Sequence, residues 1–215
     1  MSGQDGAYSR VQLERRAMVD KSKLKDVLER LVTALSELRR STGQTATAGT
    51  LHPPASGDEI AAFEKRSGFK CPPSYRSFLQ MHNGWEKYRR VWTLIGAGGD
   101  HATKALQQVE RDFKIFVVKW EQKYGKATPQ KIQEFEAKFD RRATTEAAAY
   151  IYLPNHFAFG TDFAGSLYVF DRRHVAPDGE NEVFERDASG DITWHKTFVA
   201  MLEAHLASTE ERLKQ

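Results

Sequence analysis

Apolar residues recur at helical spacing in several long segments of this chain. The N-terminal segment carries one apolar stripe, made of Leu24, Val27, Leu28, Leu31, Leu35 and Leu38, with lysine, arginine and glutamate elsewhere. Such a stripe is typical of an amphipathic helix, which more often packs on its own protein than against a partner helix. Further helices are predicted at 56–68, 72–84, 101–124, 129–149 and 196–206.

Helix boundary signals support two of these predictions. Ser56-Gly57-Asp58-Glu59 has the pattern of a capping box at a helix start, and Gly68 fits its end. Pro72 and Pro73 fit the first turn of the next helix, where no amide donor is needed. Asn83-Gly84 then supplies a left-handed stop.

Strand patterns occur mainly in the second half of the chain. Strands are predicted at 91–95 and 150–153, in a hairpin over 157–171, and in a second pair at 182–186 and 191–195. Gly160, Asp162 and Gly165 mark the turn of the first hairpin. Strands that cluster late and join by short turns favour a mostly antiparallel or mixed sheet flanked by helices, so the fold class is α+β.

The composition is that of a globular protein. Hydrophobic residues make up 40% of the 215 residues and charged residues 28%, and the formal net charge of +3 is too small to indicate nucleic-acid binding. A single cysteine, Cys71, suggests a reducing compartment. Neither a signal sequence nor an apolar run long enough to cross a bilayer is visible, so we expect a cytoplasmic protein without membrane association.

Candidate chemistry is sparse. Asp162, Asp171, His156 and His174 could form a metal or acid/base cluster, but they lack the tight spacing of zinc motifs. Structural roles are favoured, and we expect neither a metal, a cofactor nor catalytic residues. Cys71 lies at a helix start, where a thiol can be activated, but a buried small hydrophobe is the better interpretation.

One segment mixes aromatic and basic residues: Trp85, Tyr88 and Trp92 with Lys87, Arg89 and Arg90. This mixture can stack on single-stranded nucleic acid, but a core edge with a solvated basic rim is favoured because the global charge is nearly balanced. Trp85 and Glu86 directly follow Asn-Gly, so an exposed anchor for a protein partner, with Tyr88 beside it, is a further possibility.

The clearest charge feature is an acidic run between residues 178 and 191. It contains Asp178, Glu180, Glu182, Glu185, Asp187 and Asp191, against Arg186 alone. Most such runs are solvated rims, in which the side chains face water. The functional alternative is an acidic face that steers a basic partner. The candidate partner-binding residues are therefore Trp85, Glu86, Tyr88, Asp162, Glu180, Glu182, Glu185 and Asp187.

Two motifs, taken together, resemble a known superfamily. The first is Glu59-Ile60-x-x-Phe63-Glu64, followed by Pro72-Pro73-Ser74-Tyr75-Arg76-x-Phe78-Leu79 and Asn83-Gly84. The second is Phe159-Gly160-Thr161-Asp162-x-x-Gly165-x-x-Tyr168-x-Phe170-Asp171, with Thr197-Phe198-x-x-Met201-Leu202 after it. In this order they resemble the SUKH superfamily, which includes the fungal Smi/Knr cell-wall regulators and many bacterial immunity proteins.

The resemblance implies a domain plan and a function. It places an N-terminal amphipathic helix and linker at 1–50, a SUKH-like domain at 51–208 with a helical insertion at about 100–149, and a tail at 209–215. It implies a binding protein, not an enzyme: an intracellular immunity protein that neutralises a cognate bacterial toxin delivered by contact or by a secretion system. The alternative is a regulatory scaffold of the Smi/Knr type. The oligomeric state stays open.

Overall fold

The computed structural model describes residues 10–43, 49–140, 151 and 156–215, with side chains from residue 21 onward. Its helices are α1 (Arg10–Ser41), α2 (Gly57–Ser67), α3 (Pro73–Met81), α4 (Asp100–Tyr124), α5 (Pro129–Lys138) and α6 (Phe198–Arg212). Its strands are β1 (Thr50–Leu51), β2 (Trp85–Tyr88), β3 (Trp92–Leu94), β4 (Phe157–Thr161), β5 (Leu167–Val175), β6 (Asn181–Arg186) and β7 (Ile192–His195).

The strands form one sheet in the order β1 to β7, with every neighbouring pair antiparallel. Helices flank this sheet, which confirms the α+β prediction. The strand order is sequential: each strand lies beside its predecessor, both where a short turn joins them and where the helices α2 and α3 or α4 and α5 lie between them.

Alternation along the strands gives the sheet two apolar faces. On the first face, Phe159, Tyr168 and Phe170 join the core that α1, α2, α3 and α6 cover. On the second face, Ala158 and Val169 pack with α4. Because successive side chains point to opposite faces of a strand, a strand that is apolar throughout needs cover on both sides. Helix α4 supplies the second cover.

The apolar stripe of α1 is part of the main core. Leu24, Val27, Leu28, Leu31 and Leu35 are all buried there, and α1 packs along α6. This confirms the prediction that the stripe packs on its own protein. Leu38 is only half-buried, near the end of the helix.

The capping box of α2 forms as predicted. The Ser56 hydroxyl accepts from the Glu59 amide, the Glu59 carboxylate accepts from the Ser56 amide, and Gly68 ends the helix at φ +60°. At α3 the prediction is correct at the start but too long at the end. The helix stops at Met81 with an extended His82, although Gly84 beyond it does adopt φ +95°.

Several elements differ from the sequence-based prediction. The segment 41–57, which is rich in Thr, Gly and Pro and therefore predicts a linker or extended loop, contains strand β1. Strand β2 forms where an exposed anchor or a core edge was considered. Helix α5 ends at Lys138 rather than 149, and Ile151, in the stretch predicted as a short strand, is helical; the rest of 150–153 lies outside the described residues. Gly160 lies within β4 and not in a turn. Helix α6 continues to Arg212, beyond the predicted end at 206.

Candidate functional site

Three hairpin turns lie side by side at one end of the sheet. The pairing places Thr93, Thr161, Leu167, Arg186 and Ile192 in one row across five strands. The turns at 89–91, 162–166 and 187–191 project beyond this row, and we call them the turn edge. Since neighbouring strands are about 4.8 Å apart, the row spans roughly 19 Å. This length suits a protein contact surface.

The turn edge exposes apolar and charged side chains together. Phe163 is 48% exposed and Val91 is 59% exposed. Asp187 and Asp191 are exposed on the third turn, and Arg90 is exposed on the first. Large exposed aromatics beside charged groups are typical of protein–protein contact sites, where aromatic residues carry much of the binding energy. Sequence reasoning did not select Phe163, because a lone aromatic in a turn has no periodic signal.

The position of Phe163 is set by its neighbours. Its backbone has φ +59°, which is rare for a residue with a bulky side chain. The Phe163 amide donates to the Thr161 hydroxyl at 3.0 Å, and the Asp162 carboxylate accepts from the Ala164 and Ser166 amides at 2.8 and 2.9 Å. Asp162 is half-buried and shapes the turn that presents Phe163.

Asp187 has the corresponding role in the third turn. Its carboxylate accepts from the Ser189 hydroxyl at 2.6 Å and from the amides of Gly190 and Asp191 at 2.9 and 3.0 Å. The Ser189 hydrogen bond is the main reason that the pKa of Asp187 is lowered. The side chain is exposed as well, so it both orders the turn and contributes negative charge to the turn edge.

The acidic run is not one surface, so the expectation of a continuous solvent-facing rim is wrong. Asp178 and Glu180 lie in the β5–β6 turn, at the opposite end of β6 from Asp187. Six strand residues separate the two groups by about 20 Å. The Glu180 carboxylate accepts from the Ser74 amide and hydroxyl at 2.6 and 2.7 Å, capping α3. Glu182 is half-buried between the two ends.

Glu185 and Tyr88, both predicted at a partner surface, meet instead in an interior polar cluster. The Tyr88 hydroxyl lies 2.6 Å from Nδ1 of His205, whose Nε2 bonds the Glu185 carboxylate. Nε2 of His195 lies 2.8 Å from the same carboxylate. Tyr88 is fully buried, and burial holds its pKa well above the usual range, so its hydroxyl donates to His205.

Protonation in this cluster follows from the same contacts. Burial opposes the charge on Glu185, but the hydrogen bonds of His195 and His205 outweigh burial and lower its pKa to about 2. Burial lowers the pKa of His205. The consistent state is a charged Glu185 that accepts from neutral His205 through its Nε2–H.

Trp85 is fully buried beside Tyr88, so the expectation that these two residues are exposed anchors is wrong. Trp92 stacks on Tyr168 at 3.8 Å between ring centroids. The core-edge interpretation of this segment therefore describes it better than a stacking platform for nucleic acid. Glu86 remains at the surface, half-buried, with its carboxylate 2.9 Å from Nε2 of His52.

The other candidate chemical cluster forms only in part. Asp171 is buried, with Nδ1 of His174 at 2.7 Å and Nδ1 of His156 at 3.6 Å from its carboxylate. The pKa of Asp171 is lowered: burial opposes this, and the charge of His156 is the largest contribution that favours it. Asp162 is not part of this cluster. It caps its own turn, as the structural interpretation predicts.

Among the described residues, one group has donor atoms close enough to hold a metal ion. Glu185, His195 and His205 each place one ligand atom within 4.8 Å of the others. The guanidinium of Arg89 lies 3.9 Å from the second oxygen of Glu185, which opposes a further cation. The three side chains also satisfy one another by hydrogen bonds, so a structural role accounts for the arrangement.

The sequence comparisons agree with this fold. Residues 54–203 match the SMI1 / KNR4 family (SUKH-1), and the chain belongs to that family. The match confirms the resemblance drawn from the two motifs. A comparison with curated proteins gives no match. Within the described part of the chain, no helix is both long and apolar enough to span a membrane.

Proposed function

We propose that this chain is a cytoplasmic immunity protein that binds one cognate bacterial toxin and neutralises it by protein–protein contact. Membership of the SUKH-1 family supports a role in binding another protein. The chain performs no chemistry of its own in this proposal. Asp162, Asp171 and Glu185, the acids closest to possible chemistry, all have structural hydrogen bonds.

The observation that carries the proposal is the exposed Phe163 at the centre of the turn edge. A turn braced by Asp162 holds this aromatic ring outward, so little conformational entropy is lost when a partner covers it. Exposed aromatics of this kind are the commonest anchors of binding energy. Helices cover both faces of the sheet, which leaves the turn edge as a ready contact surface.

The charges of the turn edge indicate the kind of partner. Asp187 and Asp191 are exposed on the third turn, at the opposite end of the turn edge from Arg90, so this part of the surface favours a toxin with a basic patch, such as a nuclease. Opposite charges speed the encounter, and salt weakens this effect. Of the predicted contact residues, Asp162 and Asp187 belong to this surface, while Glu86 and Glu182 stay predictions outside it.

The proposal predicts that a neighbouring gene encodes the toxin, and the test uses the product of that gene. Cells that express this toxin are expected to grow only when the wild-type chain is co-expressed, and the purified pair should form a stable complex. Phe163→Gly should weaken the complex at least tenfold, which corresponds to about 1.4 kcal/mol. The fold should be retained, because glycine adopts a positive φ without steric cost.

Val175→Ala is the matched control. Val175 is 57% exposed and lies at the other end of β5, so its truncation removes an exposed apolar side chain away from the turn edge. It should leave affinity unchanged. A wild-type chain that neither binds the toxin nor restores growth overturns the proposed function. Equal affinities for wild type and Phe163→Gly would place the contact on another surface.

A further inference from the structure

A small cavity lies between the end of α1, the β2–β3 turn and the end of α6. Its volume is about 100 Å³, and four arginines line it: Arg39, Arg89, Arg90 and Arg212. No aspartate or glutamate of the described residues is among its lining residues. Four arginines from three separate parts of the chain line this one cavity.

The contacts within the described residues differ among these arginines. The Arg89 guanidinium lies 3.9 Å from Glu185 and donates to the Tyr168 hydroxyl at 3.3 Å. The guanidinium groups of Arg90 and Arg212 make no hydrogen bond or ion pair with the described residues. Burial lowers the pKa of Arg39, and the charge of Arg90 lowers it further. An anion in the cavity relieves this repulsion.

The backbone of the β2–β3 turn holds two of these arginines in place. Lys87, Arg89 and Arg90 have φ of 55°, 44° and 82°. These φ values lie in the left-handed region, and three non-glycine residues with such values within four positions form an unfavourable turn. Backbone strain of this kind concentrates at functional sites. Arg39 donates to the Lys87 carbonyl at 2.6 Å and so links α1 to the turn. The cavity is therefore preorganised.

Helix termini explain some of the arginines but not all. Arg39 and Arg212 lie in the last turns of α1 and α6, where a positive side chain stabilises the helix dipole. Arg89 and Arg90 belong to a hairpin, and that explanation does not apply to them. Arg89 is accounted for by its contacts with Glu185 and the Tyr168 hydroxyl, whereas neither explanation applies to Arg90.

From this arrangement we infer that the cavity binds a phosphate group, as the free ion or as a phosphate monoester. A carboxylate has one charge and two oxygens in one plane, whereas phosphate approaches two charges at neutral pH and directs its oxygens tetrahedrally. Guanidinium forks from several directions therefore suit phosphate better. The hydroxyl of Ser208, which also lines the cavity, adds a donor. This inference goes beyond the proposed toxin binding and needs no toxin for its test.

The experiment titrates the full chain with sodium phosphate at pH 7.5, with sodium chloride adjusted to keep ionic strength constant. The melting temperature should rise with phosphate, because a ligand that binds only the folded state stabilises it. Isothermal titration calorimetry with inorganic phosphate and with O-phosphoserine gives the affinities. The tighter ligand identifies whether a free ion or an ester is preferred.

The variant Arg90→Gln/Arg212→Gln should weaken phosphate binding at least tenfold. Both side chains are exposed, so the stability of this variant in sodium chloride should lie within about 0.5 kcal/mol of that of the wild type. Arg40→Gln/Arg111→Gln is the matched control: both side chains are exposed, the charge change is the same, and neither residue lines the cavity. The inference is overturned if phosphate raises the melting temperature no more than chloride does. It is also overturned if phosphate raises the melting temperature equally in the wild type and the double variant.

Discussion

The Glu180 carboxylate accepts two hydrogen bonds from Ser74, although 106 residues separate the two in sequence. The amide of Ser74 is one of the first in α3, where helix amides have no partner within the helix. Pro72, at the cap position, makes no side-chain hydrogen bond to the helix. A carboxylate from the β5–β6 turn thus serves as the N-cap of α3, and it also places negative charge at the positive end of the helix dipole.

We therefore predict that Glu180→Ala destabilises the protein by about 1–2 kcal/mol, in the range of a lost helix cap. The measurement is urea unfolding followed by circular dichroism. Asp191→Asn, which removes one exposed carboxylate from the same acidic run, should change stability by less than about 0.5 kcal/mol. Equal midpoints for Glu180→Ala and the wild type would show that the cap contributes nothing.

The buried cluster predicts a loss of stability in acid. The folded pKa of Glu185, about 2, lies below its ordinary value of 4.5. The stability that the charged Glu185 contributes to the folded state is therefore present above pH 4.5 and is lost as the pH falls towards 2. The difference corresponds to about 3 kcal/mol at most. The pKa of His205 is also lowered in the folded state, so protonation of the unfolded chain adds a further loss below about pH 6.5.

Unfolding free energies measured between pH 7 and pH 3 test this dependence. Glu185→Gln should be less stable than the wild type at pH 7 and should lose less stability on acidification. Glu182→Gln, in the same strand, is the control that keeps the cluster intact. If the wild type and Glu185→Gln have parallel pH profiles, Glu185 does not carry the acid sensitivity.

Substitution of two glycines, Gly84 and Gly160, is predicted to destabilise the protein, for a different reason at each position. A Cβ at Gly84 would lie 2.9 Å from the Leu94 carbonyl oxygen, and φ there is +95°. At Gly160 φ is not in the left-handed region, but a Cβ would lie 2.6 Å from Cδ2 of the buried Tyr168. Gly84→Ala and Gly160→Ala should each cost about 1–3 kcal/mol.

The control for these glycines is Gly57→Ala in the first turn of α2, where a Cβ meets nothing within 4 Å. It should be neutral or stabilising, because alanine favours helices over glycine. Thermal melting of the three variants compares them directly. A Gly160→Ala protein as stable as Gly57→Ala would mean that the Tyr168 ring can move aside.

Cys71 should be unreactive in the folded protein. It is buried, and burial together with the charge of Glu64 raises the pKa of its thiol to about 12. Because thiolate is the reactive form, a disulfide reagent at pH 8 should modify less than one tenth of the protein in the time that a free thiol needs for completion. Since the chain has one cysteine, denaturant should release one equivalent. Rapid native labelling would contradict the burial of this thiol.

Local signals in the sequence were sufficient for most elements. Capping pairs such as Ser56 and Glu59 act within one helical turn, so the residues that form the bond also identify it. The hairpins at 157–171 and 182–195 were predicted because alternation and turn residues are short-range patterns. The stripe of α1 was predicted for the same reason, and the two motifs led to the family.

Only the tertiary structure decided which polar and aromatic residues are available to a partner. Trp85 and Tyr88 are residue types typical of an exposed anchor, but the pairing of β2 with β3 places both side chains in the core. The acidic run is continuous in sequence, yet β6 separates its two ends, and Glu185 turns inward to His205. The four arginines of the cavity come from positions 39, 89, 90 and 212. Such groupings depend on strand order and helix packing, which are long-range, and no local pattern encodes them.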